Sequence, residues 1–164
     1  NNAYNLAKEV EENYYINLAK QGQKKLKSKK TKVLLLGHPY NLEDELVGKR
    51  VSSYLKEKDI EIIYSYEMPK EKVDKEITKI SPKVHWTMNK ELLSAFSYFK
   101  RQVDGIILIT AFPCGPDSLT NEMIIRKRGD CKVLQLTFRD LNSDVAIITR
   151  LESFIDMLKG GIHL

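Results

Sequence analysis

The run "DGIILITAF" (residues 104–112) is the strongest constraint in the chain. It is too short and too evenly apolar for an amphipathic helix. It therefore reads as a strand buried on both faces of a sheet. A second continuous run, "KVLLLGH" (32–38), has the same character. "IEIIYSY" (60–66) alternates more and belongs nearer a sheet edge, and "CKVLQLTF" (131–138) supplies a fourth strand.

Helical spacing fills the intervals. Asn41 is placed to cap a helix through about Lys58, with Leu46, Val47, Val51, Tyr54 and Leu55 facing inward. Leu92, Leu93, Phe96, Phe99 and Val103 form a stripe over residues 89–103. Ser118 is placed to cap a helix to about Arg128. Ile147, Ile148, Leu151, Phe154, Ile155 and Leu158 give a closing helix that ends at Gly160-Gly161. Residues 67–88 are less regular. A polar helix from about Glu71 to Ile80 is expected to stop before Pro82, with "KVHWTM" as a loop or short strand.

Strands alternating with helices imply parallel pairing and helices on both faces. Right-handed crossovers leave few arrangements, and the expected one is a four-stranded sheet of order 2-1-3-4. The fold class is α/β, a three-layer α/β/α sandwich of flavodoxin-like or Rossmann-like type. Upstream, Leu6, Val10, Tyr14 and Leu18 mark an extra N-terminal helix over residues 3–21, with Gly22 as its stop. The expected division is residues 1–30, helix and basic linker, and residues 31–164, the α/β domain.

The net charge of +5 is local. Six lysines fall within "KKLKSKKTK" (24–32), and without them 21 basic residues face 22 acidic ones. A nucleic-acid groove needs basic residues spread over a folded face, so no nucleic-acid partner is expected. No apolar run reaches the ~20 residues of a membrane helix, so no membrane partner is expected either. Two cysteines without a regular spacing fit a reducing compartment, the cytoplasm.

In the order 2-1-3-4 the chain reverses between strands 1 and 3. Ligands of open parallel sheets bind outside the strand carboxyl ends at such a point. "GHPYN" (37–41) and "FPCGPDS" (112–118) meet there, which puts His38, Tyr40 and Cys114 on one rim. Cys114 lies between a strand end and a helix start, where helix amides favour thiolate. Pro113 and Pro116 stiffen its loop, and Gly115 admits a close neighbour. Such a thiol suits a metal ligand, a nucleophile assisted by His38, or a turn filler. Tyr40 and Asn41 are expected to serve the turn and helix cap. Asp117 and Ser118 are expected to cap, with free amides that could hold a phosphate. Cys131 opens a strand at the opposite end of the sheet and reads as a small apolar residue. Neither G-x-x-x-x-G-K-[ST] nor G-x-G-x-x-G occurs, and there is no C-x-x-C pair. Thr120 stands where the phosphate loop of small tyrosine phosphatases needs arginine. His38 and Cys114 stand where a response-regulator receiver needs acids.

The segments "LLLGHPYNLEDE", "HWTMNKELLSAFSYFKRQVDGIILITAFPCGPDSLTNE" and "ITRLESFIDML" resemble the acyl-CoA dehydratase activase-related proteins. These are relatives of the 2-hydroxyacyl-CoA dehydratase and benzoyl-CoA reductase subunits of anaerobes. The resemblance spans about residues 31–159. It implies a C-terminal lobe of an iron–sulfur protein, with Cys114 as one ligand of a [4Fe-4S] cluster used in low-potential electron transfer. The candidate cofactor-binding rim around it takes in His38, Tyr40, Gly115, Asp117 and Ser118. One cysteine cannot hold a cluster that takes four, so the remaining ligands are expected from N-terminal lobes of the same or another chain. The chain alone is expected to carry no cluster and to complete no reaction, so whether it counts as an enzyme stays open. An ATP-dependent activase and an acyl-CoA substrate are the implied partners, although no ATP site is visible. Thr149 and Arg150 match the family's Thr-Arg pair, and Arg150 is expected to anchor the last helix, with a place on the rim as the alternative. The alternative is a CoA-, phosphate- or protein-binding module in which Cys114 only shapes the loop.

Overall fold

The computed structural model describes residues 2–81, 83–139 and 144–160. Four parallel strands, β1 (Lys32–Leu36), β2 (Glu61–Tyr64), β3 (Gly105–Ala111) and β4 (Lys132–Phe138), form one sheet of order β2-β1-β3-β4. The expected order and the flavodoxin-like or Rossmann-like sandwich are therefore present. β3 pairs with β1 from Gly105 to Leu108 and with β4 along its whole length. It is the central strand that its apolar run demands.

Alternate residues of the strands feed two cores. On one face Val33, Leu35, Ile107 and Ile109 pack with Val51 and Leu55 of α3 (Gly48–Glu57) and Leu151, Phe154 and Ile155 of α7 (Asp144–Leu158). On the other, Leu34, Leu36, Ile106 and Leu108 pack with Leu92, Leu93, Phe96 and Phe99 of α5 (Thr87–Phe99). Ile124 of α6 (Gly115–Lys127) and Ile77 of α4 (Val73–Thr78) complete that face. Arg150 donates to the Gln135 carbonyl oxygen at 2.7 Å, tying α7 to β4 as an anchor.

Several local expectations need correction. The N-terminal helix α1 (Asn2–Leu26) runs through Gly22 and into the lysine segment. Glycine suits this place because a Cβ there would lie 2.9 Å from the Glu67 Cβ, so α1 docks by close approach on the 3₁₀ turn Ser65–Glu67. Lys25 pairs with the buried Glu67 at the same contact. The stripe at Leu6, Val10 and Tyr14 is exposed, because the docked part of α1 lies beyond it.

The helix expected from Asn41 is two helices, α2 (Pro39–Leu42) and α3. Asp44 interrupts them by accepting the Leu46 amide on its side chain and the Lys49 amide on its carbonyl. The return brings Gly48 so near Leu42 that a Cβ would lie 2.2 Å from the Leu42 carbonyl oxygen. Leu46 is consequently exposed rather than inward. Asn41 lies inside α2 and is buried, while His38 occupies the cap position. The polar helix near residue 71 is a 3₁₀ turn, Lys70–Lys72, followed by α4. Residues 83–86 are irregular, and Thr87 and Met88 already belong to α5. Pro82 and Gly161 lie outside the described residues. Among the described residues, no helix is long and apolar enough to cross a membrane.

Candidate functional site

The rim at the carboxyl ends of β1 and β3 is built from two turns. β1 ends at Leu36, and Gly37 then passes so close to β3 that a Cβ would lie 2.8 Å from the Ile109 carbonyl oxygen. His38 follows with an extended backbone and starts α2, with Pro39 as the first helical residue. β3 ends at Ala111, and a cis Phe112–Pro113 bond leads to Cys114, the cap residue of α6.

The two turns meet through His38 and Asp117, both buried. The His38 Nε2 lies 2.7 Å from Asp117 Oδ1. Asn89, also buried, donates from Nδ2 to the same oxygen at 3.0 Å and to Thr120 Oγ1 at 2.9 Å. Thr120 donates in turn to the Pro116 carbonyl oxygen at 3.0 Å. A shared web like this fixes the side chains it joins, because the buried Asp117 and Asn89 groups would be costly unpaired. Tyr40 stacks on the His38 ring with centroids 5.2 Å apart, its own ring largely exposed.

The electrostatics differ from the sequence expectation. Burial would raise the Asp117 carboxyl, but hydrogen bonds from His38 and Asn89 and the nearby imidazole charge hold it below its ordinary value. Burial pushes the Cys114 thiol up, and the Asp117 carboxylate adds to that, against a lowering contribution from the Asp117 amide. The helix start therefore does not deliver a resting thiolate, because burial, with the carboxylate adding to it, outweighs the lowering by the Asp117 amide. Burial also pushes the Tyr40 hydroxyl up, with Asp117 and Cys114 adding to it.

The structure thus brings His38, Tyr40, Cys114 and Asp117 together. It gives Asp117 a partner in place of the capping role expected of it. Ser118 is not the cap: it lies within α6, exposed, and donates to the Cys114 carbonyl oxygen at 2.9 Å. Gly115 faces open space, so a side chain there would meet no neighbour. His38 is committed through Nε2 to Asp117, which leaves Cys114 without that nitrogen as a base. Cys131 lies at the start of β4, at the opposite end of the sheet, half-buried against the core.

Asn89, Thr120 and Asn121 escaped the sequence reading. Asn89 shares a helix face with Leu92, Leu93 and Phe96, and a polar residue on an apolar stripe is a signal in itself. Asn121 donates to Thr110 Oγ1 at 2.7 Å, binding α6 to β3 just below the rim. Among the described residues, no group of three His, Cys, Asp or Glu side chains is arranged to hold a metal ion. Comparison with protein-family models, curated proteins and solved structures gives no match for the chain.

Proposed function

We propose that this domain is one lobe of an iron–sulfur protein of acyl-CoA dehydratase or reductase type, in which Cys114 is one thiolate ligand of a [4Fe-4S] cluster. The observation that supports it is the position of Cys114: a half-buried thiol at the end of the central strand, beside the topological switch point. The donor set fits one ligand of a cluster and no more, since no three-residue ligating group accompanies it among the described residues. The other cysteines belong to another lobe facing this rim, of the same or a second chain.

A bound cluster would supply one-electron chemistry at low potential. The work of this chain is positional. Asp117, Asn89 and Thr120 brace the first turn of α6, and Ser118 braces the Cys114 carbonyl. A thiol held protonated at rest must lose its proton on ligation, and coordination itself deprotonates a ligating thiol. The partners of this reading are a second lobe, an ATP-dependent activase and an acyl-CoA.

The test is iron and sulfide reconstitution of the protein together with the lobe that completes it, comparing wild type with Cys114→Ala. Loss of cluster absorbance and of iron is expected. Equal iron content in the two would sink the ligand role.

A second reading is favoured by the raised thiol: the rim binds a CoA moiety, a phosphate or a protein, and Cys114 only shapes the loop. In that case calorimetry with an acyl-CoA shows binding to the metal-free chain that survives Cys114→Ala.

A further inference from the structure

The first half of α1 stands clear of the domain, with residues 2–14 all exposed. Leu6, Val10 and Tyr14, at i+4 spacing, form one stripe along it and are 62, 61 and 58 % exposed. Glu9 and Glu11 flank Val10 on either side. With Glu12 they make three glutamates against Lys8 alone, a net charge of −2 over this half.

The second half of α1 carries a matching groove. With Pro69 and the 3₁₀ turn Lys70–Lys72 it encloses about 670 Å³, reaching from Glu12 to Lys27. That is ~22 Å of helix at ~1.5 Å per residue, close to the ~19 Å of residues 2–14. Tyr15, Ile16, Ala19 and Pro69 line it with apolar surface. Lys20, Lys24 and Lys27 line it with charge, and among the described residues none of the three has an ion pair. Their neighbours are already matched: Lys25 pairs with Glu67, and Lys70 with Glu91 at 2.7 Å. Spread over its length, the groove is only about 30 Å² in section. It is too shallow to enclose a compact ligand and suits the side-chain row of a helix laid along it.

We propose that this groove takes residues 2–14 of a second copy of the chain. Leu6, Val10 and Tyr14 of one copy cover the apolar lining of the other, and a flanking glutamate meets the lysine row. Two unpartnered surfaces of one molecule, alike in length and opposite in charge, are satisfied by one contact. Stripe and groove face roughly 130° apart around α1. Two straight antiparallel helices cannot make both contacts at once, so the pairing is head-to-tail and not a closed two-fold dimer. Three large side chains cover about half of the ~800 Å² that a standard interface buries on each partner, so the association is weak and reversible. It uses neither Cys114 nor its turn and is independent of the iron–sulfur reading.

Sedimentation velocity on the metal-free chain, from about 10 µM to about 1 mM, tests the contact. The mean mass should rise with concentration. Leu6→Gln/Val10→Gln removes the stripe and Lys20→Glu/Lys24→Glu reverses the groove, so each variant alone should stay monomeric. All four positions are exposed, and glutamine and glutamate are good helix formers, so both variants keep the fold. Mixed in equal amounts, the two variants should form a dimer and grow no further, because one intact stripe and one intact groove remain between them. A wild-type chain that stays monomeric throughout would overturn the proposal and leave the groove to another acidic partner. Association that persists in either variant alone, or a mixture that fails to pair while wild type associates, would overturn it as well.

Discussion

The two cysteines sit at opposite ends of the same sheet, and their surroundings are opposite in sign. Cys114 shares its turn with the Asp117 carboxylate, whereas Cys131 lies within reach of the Lys100 and Arg128 charges. Burial pushes both thiols up, but the cations lower Cys131 where the carboxylate raises Cys114. Judged by charge alone, the better thiolate is at the wrong end of the molecule. What distinguishes the Cys114 end is its buried polar web. Asn89, Thr110, Asp117, Thr120 and Asn121 are all buried around it, while Asp130 beside Cys131 is exposed. A site is marked here by how firmly its groups are held more than by how reactive they are at rest.

The largest expected effect separates the two ends by stability. Asp117→Ala leaves His38 and Asn89 without their shared acceptor, and breaking such a buried pair costs about 3–5 kcal/mol. Asp130→Ala, on the exposed end, should stay within about 0.5 kcal/mol. Urea unfolding of both variants checks the contrast, and equal midpoints would dissolve it.

Next in size is an acid effect. The Asp117 carboxyl is held below its ordinary 3.8 in the folded chain. Its contribution is therefore complete above the unfolded value and is lost as pH falls through the lower folded value. The stability of wild type should drop below about pH 4 by an amount that Asp117→Asn does not show. Urea midpoints measured across that range decide it.

A smaller effect concerns reactivity. Asp117→Asn removes the carboxylate that raises the Cys114 thiol, so alkylation of Cys114 at pH 8 should quicken several-fold while Cys131 is unchanged. Mass spectrometry of the two labelled peptides reads both sites in one sample. The smallest effect is salt. Screening Lys100 and Arg128 at 1 M salt, where the Debye length is about 3 Å, should slow Cys131 alkylation slightly and leave Cys114 nearly untouched.

The sheet was legible because its two inner strands are apolar on both faces, a pattern that leaves little choice of neighbour. Leu34 and Leu35 point into different cores, and no helix spacing accounts for both. The breaks were harder to read. Nothing in "NLEDELVG" announces that Asp44 will capture the Leu46 amide and end the helix, because such capture depends on where the chain must turn. Gly22 shows the reverse case: a residue that ends helices elsewhere is here a point of close docking inside one. At the site, strand order was enough to bring His38 and Cys114 to one rim. Their partners were not legible in the same way, since His38 and Asp117 are 79 residues apart and Asp117 looks like an ordinary cap. Asn89 could have been suspected from its place on an apolar face.

The distance between the two turns of the rim is set by Gly37, a residue with no chemistry to offer. Its bare α-carbon is a spacer of minimum thickness between neighbouring strand ends, and any larger residue would act as a wedge. Alanine at that point would force the histidine turn and the cysteine turn apart without altering either. Geometry at this rim is therefore encoded one residue upstream of the groups that use it, in an atom the chain leaves out.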